Sequence, residues 1–217
     1  MAQSDTTSPR RTANGGRSGP SERRGKRHDR HDEIVQIAGA LFAKRGFLAT
    51  TIRDIADEAN ILSGSLYHHF ESKESIADQL LRAYWDDLLE EYDAVVAAKL
   101  PATESLRRLI GASIQMFERH GYAVRMILND WAYLSTVLPY MDESLTRTRK
   151  TWTTLVRQGT KNGEFRADVD PNIVYRTIMG SITSAGRWYE AGGKLTTDEL
   201  AQQTADIFLR GVAAEGD

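Results

Sequence analysis

From Asp32 onward, apolar and polar positions alternate with a helical period. Ile34, Ile37, Ala38, Leu41 and Phe42 fall at i, i+3, i+4, i+7 and i+8, which makes one apolar stripe, and Gly46 is placed to end this first helix as its C′ glycine. Thr51 is set to cap a short second helix with Asp54 at its N3 position and Ile52, Ile55, Ala56 and Ala59 on the inner side. Asn60 then stands where the chain must turn, and asparagine tolerates the left-handed conformation that most residues avoid. Ser63 is the expected N-cap of a third helix, accepting from the peptide of Ser65 or Leu66. Leu66 and Phe70, four apart, face inward there with Ile61 beside them, and Ser65, Tyr67, His68 and His69 are left on other faces.

Longer helices follow. Ser72 caps one over about 73–99, with Leu80, Leu81, Tyr84, Trp85, Leu88 and Leu89 apolar, and Pro101 stops it. Thr103 starts the next, with Leu106, Leu109, Ile110, Ile114 and Phe117 inward, ending near Gly121. Another, about 123–134, carries Met126, Ile127 and Trp131. Pro139 opens a helix running to about Thr160, where Lys161, Asn162 and Gly163 supply a stop. Asp170 as N-cap with Pro171 in the first turn opens the next, and Thr196 with Glu199 forms a capping box for the last, from Thr197 to near Val212. The pattern predicts an all-α fold of about nine helices.

Composition narrows what such a bundle can be. With 41% hydrophobic residues among 217, the chain can bury a real core. It has no cysteine, which excludes disulfides, thiolate metal sites and cysteine nucleophiles. No apolar run approaches the roughly 18 residues that span a bilayer, and the N-terminus lacks the apolar region of a secretory signal. A soluble, cytoplasmic chain without membrane contact is expected. The net charge of −2 hides an asymmetry: residues 1–30 hold eight Lys/Arg against three Asp/Glu, so they are +5 and the remainder is −7. Rich in Ser, Thr, Gly and Pro, they read as a disordered basic arm suited to phosphate backbones or to solubility. Three segments result: the arm (1–30), a small helical unit (31–76) and a larger helical domain (77–217).

Catalytic chemistry finds little support. His68 and His69 are adjacent, so on a helix they diverge by about 100°, and neither has an acidic or histidine partner at i+4 to complete a metal site. His120 has no obvious nucleophile or orienting acid nearby in sequence. A Gly-rich phosphate loop, G-x-S-x-G and H-E-x-x-H are all missing, which disfavours an enzyme acting on an acyl thioester. No metal or cofactor is expected.

Two short helices joined by a tight turn, the second with a polar outer face, have the layout of a helix-turn-helix. "TTIRDIADEANILSGSLYHHFESKESI" (50–76), preceded by "IAGALFAKRGF" (37–47), resembles the TetR family of transcriptional regulators in its order of caps, apolar positions, "LYHHF" and "SKE". Asn60 departs from the family's turn glycine, and Leu62 from its usual serine or threonine, which moves the expected cap to Ser63. The resemblance implies an N-terminal DNA-binding domain and a C-terminal effector-binding and dimerisation domain. Ser63, Gly64, Ser65, Tyr67 and His68 would meet the major groove, Thr51 and Arg53 would hold the backbone, and Lys73 would meet a phosphate at the start of the long helix. The implied partners are double-stranded operator DNA, a second copy of the chain and a small-molecule effector, with nucleoid association when DNA is bound. The last two helices would form the dimer interface.

One of them is unusual. "GSITSAG" (180–186) is nearly all small and suits close helix packing, and Arg176, Gly180, Thr183 and Arg187 form a polar column along it. Two readings stand side by side. Thr183, Arg187 and Trp188 contact a large anionic effector, with Trp131 and Met126 lining its pocket; or Arg187 pairs with a carboxylate and Trp188 is core. The likeness extends within the family to an actinobacterial branch repressing late, ring-degrading steps of cholesterol catabolism, which implies a CoA thioester of a steroid-ring remnant as effector. A transcriptional activator or an architectural DNA binder without effector is the alternative.

Overall fold

The computed structural model describes the backbone of residues 20–212 and the side chains of residues 30–212. Among the described residues nine helices follow one another without a sheet: α1 (Pro20–Arg45), α2 (Ile52–Glu58), α3 (Ser63–Leu66), α4 (Lys73–Ala97), α5 (Ala102–Arg119), α6 (Gly121–Val137), α7 (Tyr140–Lys161), α8 (Pro171–Trp188) and α9 (Thr197–Val212). The all-α expectation holds. The expected arm needs correction where it can be compared: α1 reaches back to Pro20, so residues 20–30 are helical rather than disordered. Proline is favoured at a helix's first position, no later proline interrupts the segment, and a helix already nucleated downstream gains one bond per residue as it lengthens. Residues 1–19, the rest of that arm, lie outside the described residues.

The expected caps form where partners are three residues apart. Thr51 Oγ1 accepts from the Asp54 peptide at 3.1 Å, while the Asp54 carboxylate accepts from the Thr51 peptide at 2.8 Å. Ser72 and Ser75 repeat this box at α4, as Thr196 and Glu199 do at α9. Asp170 accepts from the peptides of Asn172 (2.7 Å) and Ile173 (3.2 Å) at α8. Gly46, at φ +88°, ends α1, and Asn60, at φ +54°, turns the chain between α2 and α3.

One cap differs. Ser63 is the first residue of α3, and Leu62 is its N-cap without a side-chain bond. The extended backbone of Leu62 aims its carbonyl at the peptides of Ser65 (2.8 Å) and Leu66 (3.3 Å), so the helix starts one position earlier than a serine cap requires. The helix is also shorter than expected. Beyond Leu66 the chain continues as turns, closed by His69 N–H to Leu66 O (2.9 Å) and Phe70 N–H to Leu66 O (3.0 Å).

α5 is the central helix and packs against α4, α6, α7, α8 and α9. Leu106, Leu109, Ile110 and Ile114 are fully buried on it, as are Tyr92 on α4 and Trp152 on α7. The Tyr92 hydroxyl donates to Ser113 Oγ (2.6 Å), which donates onward to Leu109 O (2.7 Å); burial pushes its pKa up to about 12. The start of α5 is capped from far away in sequence. Glu164 accepts from the Thr103 peptide at 3.0 Å, an arrangement made possible by Gly159, whose missing Cβ would lie 2.3 Å from the Phe165 ring. The helix-turn-helix unit is carried by α1, which rests on α4 and α6 of the larger domain.

Candidate nucleic-acid interface and effector region

α2 and α3 pack on each other through buried Ile55, Ala56, Leu66 and Phe70, which turns the polar residues of α3 outward. Tyr67 is 58% exposed, and His68, Gly64, Thr51 and Arg53 are exposed with it, while Ser63 and Ser65 are half-buried at the edge. A Cβ at Gly64 would meet nothing within 4 Å, so this part of α3 is open to a close partner. Arg53 projects with its side chain 85% exposed and reaches Asp57 only at 3.8 Å, which leaves its guanidinium available to a phosphate. Hydroxyls and imidazoles at this edge can donate to phosphate oxygens and to base acceptors in a major groove.

His69 is turned away from this edge. Its ring lies 6.3 Å from that of Phe70 and 6.5 Å from that of His31, and His31 itself stacks on Phe70 at 4.5 Å. The adjacent histidines therefore have different surroundings, His68 at the open edge and His69 in a ring cluster against α1.

Lys73 departs from the sequence-based expectation. Its ammonium folds back to donate to Phe47 O and Thr50 O, both at 2.8 Å, and lies 4.3 Å above the Phe47 ring. Burial lowers its pKa, opposed by the nearby Glu74 and Asp130 carboxylates. These bonds bridge 26 and 23 residues, so nothing local in the sequence signals them. Lys73 holds the α1–α2 loop and does not present its charge outward. Exposed cations near the head that sequence reasoning passed over are Lys44 and Arg45 in the last turn of α1. Arg45 also reaches Asp54 at 3.4 Å.

Leu62 also stands out by its exposure. It is 79% exposed directly before α3, although its sequence position suggested only a displaced cap. A large apolar side chain standing in water beside a polar reading edge is the signal that could have found it.

The candidate effector residues do not converge. Met126 is fully buried in the core, and Trp131 packs against Trp85 with ring centroids 6.5 Å apart. Thr183 and Arg187 are exposed on the outer face of α8, and Trp188 is 56% exposed beside them. Among the described residues Arg187 makes no carboxylate pair, and its side chain is exposed. It donates one bond to Leu128 O on α6 at 3.1 Å, beside a close approach where a Cβ on Gly186 would come within 3.2–3.4 Å of Leu128, Phe117 and Val124. Ile173 (65% exposed) and Ile207 (70%) add apolar surface on α8 and α9.

His120 does have an orienting acid, contrary to its sequence surroundings: Asp87, 33 positions earlier on α4, lies 2.7 Å from Nε2. Tyr84 meets the same ring edge-on at 6.1 Å. The pair joins α4 to the α5–α6 corner.

Comparison with known proteins agrees with this geometry. Residues 34–80 match the model of the bacterial regulatory proteins of the tetR family, and residues 99–212 match the tetracyclin repressor-like C-terminal domain. The chain is 39% identical over 197 residues to the HTH-type transcriptional repressor KstR2 of Rhodococcus jostii, spanning 90% of this chain and 97% of that one. It is similar in structure to the ketosteroid transcriptional regulator KstR2 of Mycobacterium tuberculosis, with a TM-score of 0.83, 40% identity and coverage of 86% and 96%. AibR, solved in complex with isovaleryl coenzyme A and operator DNA, shares the fold at 22% identity and a TM-score of 0.70, covering 82% of this chain and 97% of its own. With one model matching more than half of the chain and relatives this similar along nearly all of it, the chain belongs to the TetR family of bacterial transcriptional regulators and is not an enzyme.

Proposed function

We propose that this regulator represses genes for the late, ring-degrading steps of sterol catabolism, and that a CoA thioester of a steroid-ring remnant releases it from DNA. The observation that carries the DNA half of this reading is the exposed edge of Leu62, Gly64, Tyr67 and His68, held on a buried two-helix frame. Similarity to the KstR2 repressors, one of them a ketosteroid transcriptional regulator, supports the regulated pathway.

In this reading two subunits associate through the outer faces of α8 and α9, where small residues and exposed Ile173 and Ile207 suit close apolar contact. Each subunit sets α3 into one half-site of a near-palindromic operator. Tyr67, His68, Ser63 and Ser65 meet base edges and phosphates, Thr51 and Arg53 hold the backbone, and Leu62 meets a thymine methyl. Arg187 and Trp188, at the outer end of α8, receive the effector. A guanidinium with five donors and one protein bond retains donors for CoA phosphates, and the indole covers an apolar ring. Thr183 adds a hydroxyl on the same face, whereas Met126 in the core and Trp131 on Trp85 stand apart from it. Release needs only that the thioester bind more tightly to a dimer whose reading heads no longer match successive grooves.

A mobility-shift assay with DNA upstream of the chain's own gene tests this. Binding should be sequence-selective and salt-sensitive, and the steroid-remnant thioester should abolish it where the free acid and CoA do not. Salt-sensitive binding that no thioester relieves would overturn the effector assignment and favour an architectural binder.

A further inference from the structure

The loop between α1 and α2 is held by the end of α1, by the first turn of α4 and, from the larger domain, by α6. Gly46 closes α1 by donating to Phe42 O (2.9 Å) and then adopts φ +88°, which turns the next peptide away from the helix. The Phe47 N–H is thereby aimed at α6, where the Asp130 carboxylate accepts it at 3.1 Å across 83 residues. The Phe47 ring, fully buried, stacks on Tyr133 one turn further along α6, with centroids 5.6 Å apart and planes 30° apart. The Tyr133 hydroxyl donates to Glu74 in the first turn of α4 (3.2 Å), and the neighbouring Lys73 takes the Phe47 and Thr50 carbonyls. The next residue, Thr51, caps α2.

We infer that Asp130 is the positioning residue of the DNA-reading head: its bond to the Phe47 peptide fixes the angle at which α2 and α3 leave the larger domain, and so the spacing of the two heads. This inference rests on the DNA-binding reading above. Asp130 lies on α6, outside the helix-turn-helix, so its role is not direct contact with bases or phosphates. It acts through a peptide group at the corner from which the head pivots, and a displacement of α6 against α4 moves that corner directly. Tyr133 supports the same corner through its ring, and its hydroxyl couples α6 to the base of α4. A carboxylate is suited to this role because a charged acceptor makes a stronger and more directional bond to a peptide N–H than a neutral one does.

A role in setting head spacing differs from a role in folding by what it does to operator geometry. The full-length chain would be used to select a palindromic operator from random double-stranded DNA. Affinities would then be measured for that operator, for versions with two base pairs inserted at the centre, and for an isolated half-site. For Asp130→Ala the expectation is about tenfold weaker binding to the selected operator, a spacing preference reduced by at least the same factor, and unchanged affinity for the half-site. Asp130→Asn, which keeps a side-chain carbonyl as acceptor, should restore most of the preference. Tyr133→Phe keeps the ring stack and should lose part of it, which preserves the test if Asp130→Ala fails to fold. Retention of the full wild-type spacing preference by the folded variants would overturn the positioning role, as would equal losses on half-site and operator. Failure of the wild type to select any operator would instead overturn the DNA-binding reading itself.

Discussion

Lys73→Met separates a structural lysine from a phosphate-binding one. The substitution keeps most of the aliphatic stem and removes an ammonium that donates to two carbonyls at 2.8 Å over a buried ring. A hydrogen bond from a charged donor contributes roughly 1.5–3 kcal/mol net, and losing it also leaves its acceptor to find another partner. The group is only part-buried, so water can reach one carbonyl after the change, and the two bonds together should be worth about 2 kcal/mol. For a chain of this size that corresponds to a fall in Tm of about 4–8 °C, measured by circular dichroism at neutral pH. Operator binding, followed by fluorescence anisotropy well below the melting range over a series of salt concentrations, gives the second reading. If Lys73 neutralised a phosphate, the slope of log K against log salt would shrink by about 0.9 per contact, or about 1.8 for the two subunits of a dimer. The fold-back geometry predicts an unchanged slope. An unaltered Tm together with a slope reduced by nearly two would refute it.

Other substitutions probe separate parts of the molecule. Gly159→Ala places a Cβ 2.3–2.4 Å from the buried Phe165 ring and 2.8 Å from Ala102 Cβ, so it should cost about 2 kcal/mol or more in denaturant unfolding, with no effect on half-site affinity once folded. Tyr67→Ala and His68→Ala should each weaken operator binding by about tenfold at unchanged Tm, because both side chains are exposed and carry little of the fold. Acid should destabilise the helix ends. Bonds from Thr51 hold the Asp54 carboxyl below its ordinary 3.8, the peptides of Asn172 and Ile173 do the same for Asp170, and Thr196 holds Glu199 below 4.5. Groups whose folded pKa is depressed contribute above the unfolded value and lose that contribution as pH falls through the folded one. Stability should therefore be flat near neutrality and decline below about pH 4, and Asp170→Asn should make that decline shallower in a pH series of thermal melts.

The parts of this fold that can be read from the chain are those whose causes lie within a few residues. The Thr51–Asp54 box, the left-handed Asn60, the Asp170–Pro171 start and the Thr196–Glu199 box each involve groups at most three or four positions apart, so the linear order already contains their geometry. Apolar spacing likewise placed Leu106, Leu109 and Ile110 inward on α5. Lys73, Glu164, His120 and Asp130 could not be read in this way. Their partners lie 26, 61, 33 and 83 residues away, and only the packing of α1, α4, α5 and α6 brings them together. The α3 cap shows a subtler limit. Serine at 63 satisfies the local preference, but the path through the Asn60 turn makes Leu62 the N-cap and Ser63 the first helical residue, and backbone geometry overrides side-chain propensity. The exposure of this edge of α3 was legible because it follows from two buried anchors, Leu66 and Phe70, four apart. The candidate effector set was not, because three of its five residues, Thr183, Arg187 and Trp188, face outward on α8, where a single chain shows only an open surface.

Hydroxyl-radical footprinting on the DNA upstream of the gene tests the central claim most directly, with the steroid-remnant CoA thioester titrated into the bound complex. The account predicts two protected windows centred about one helical turn apart, roughly 34 Å, matching two α3 edges in successive major grooves, both disappearing together as thioester is added. A single continuous footprint that persists at saturating thioester would contradict it.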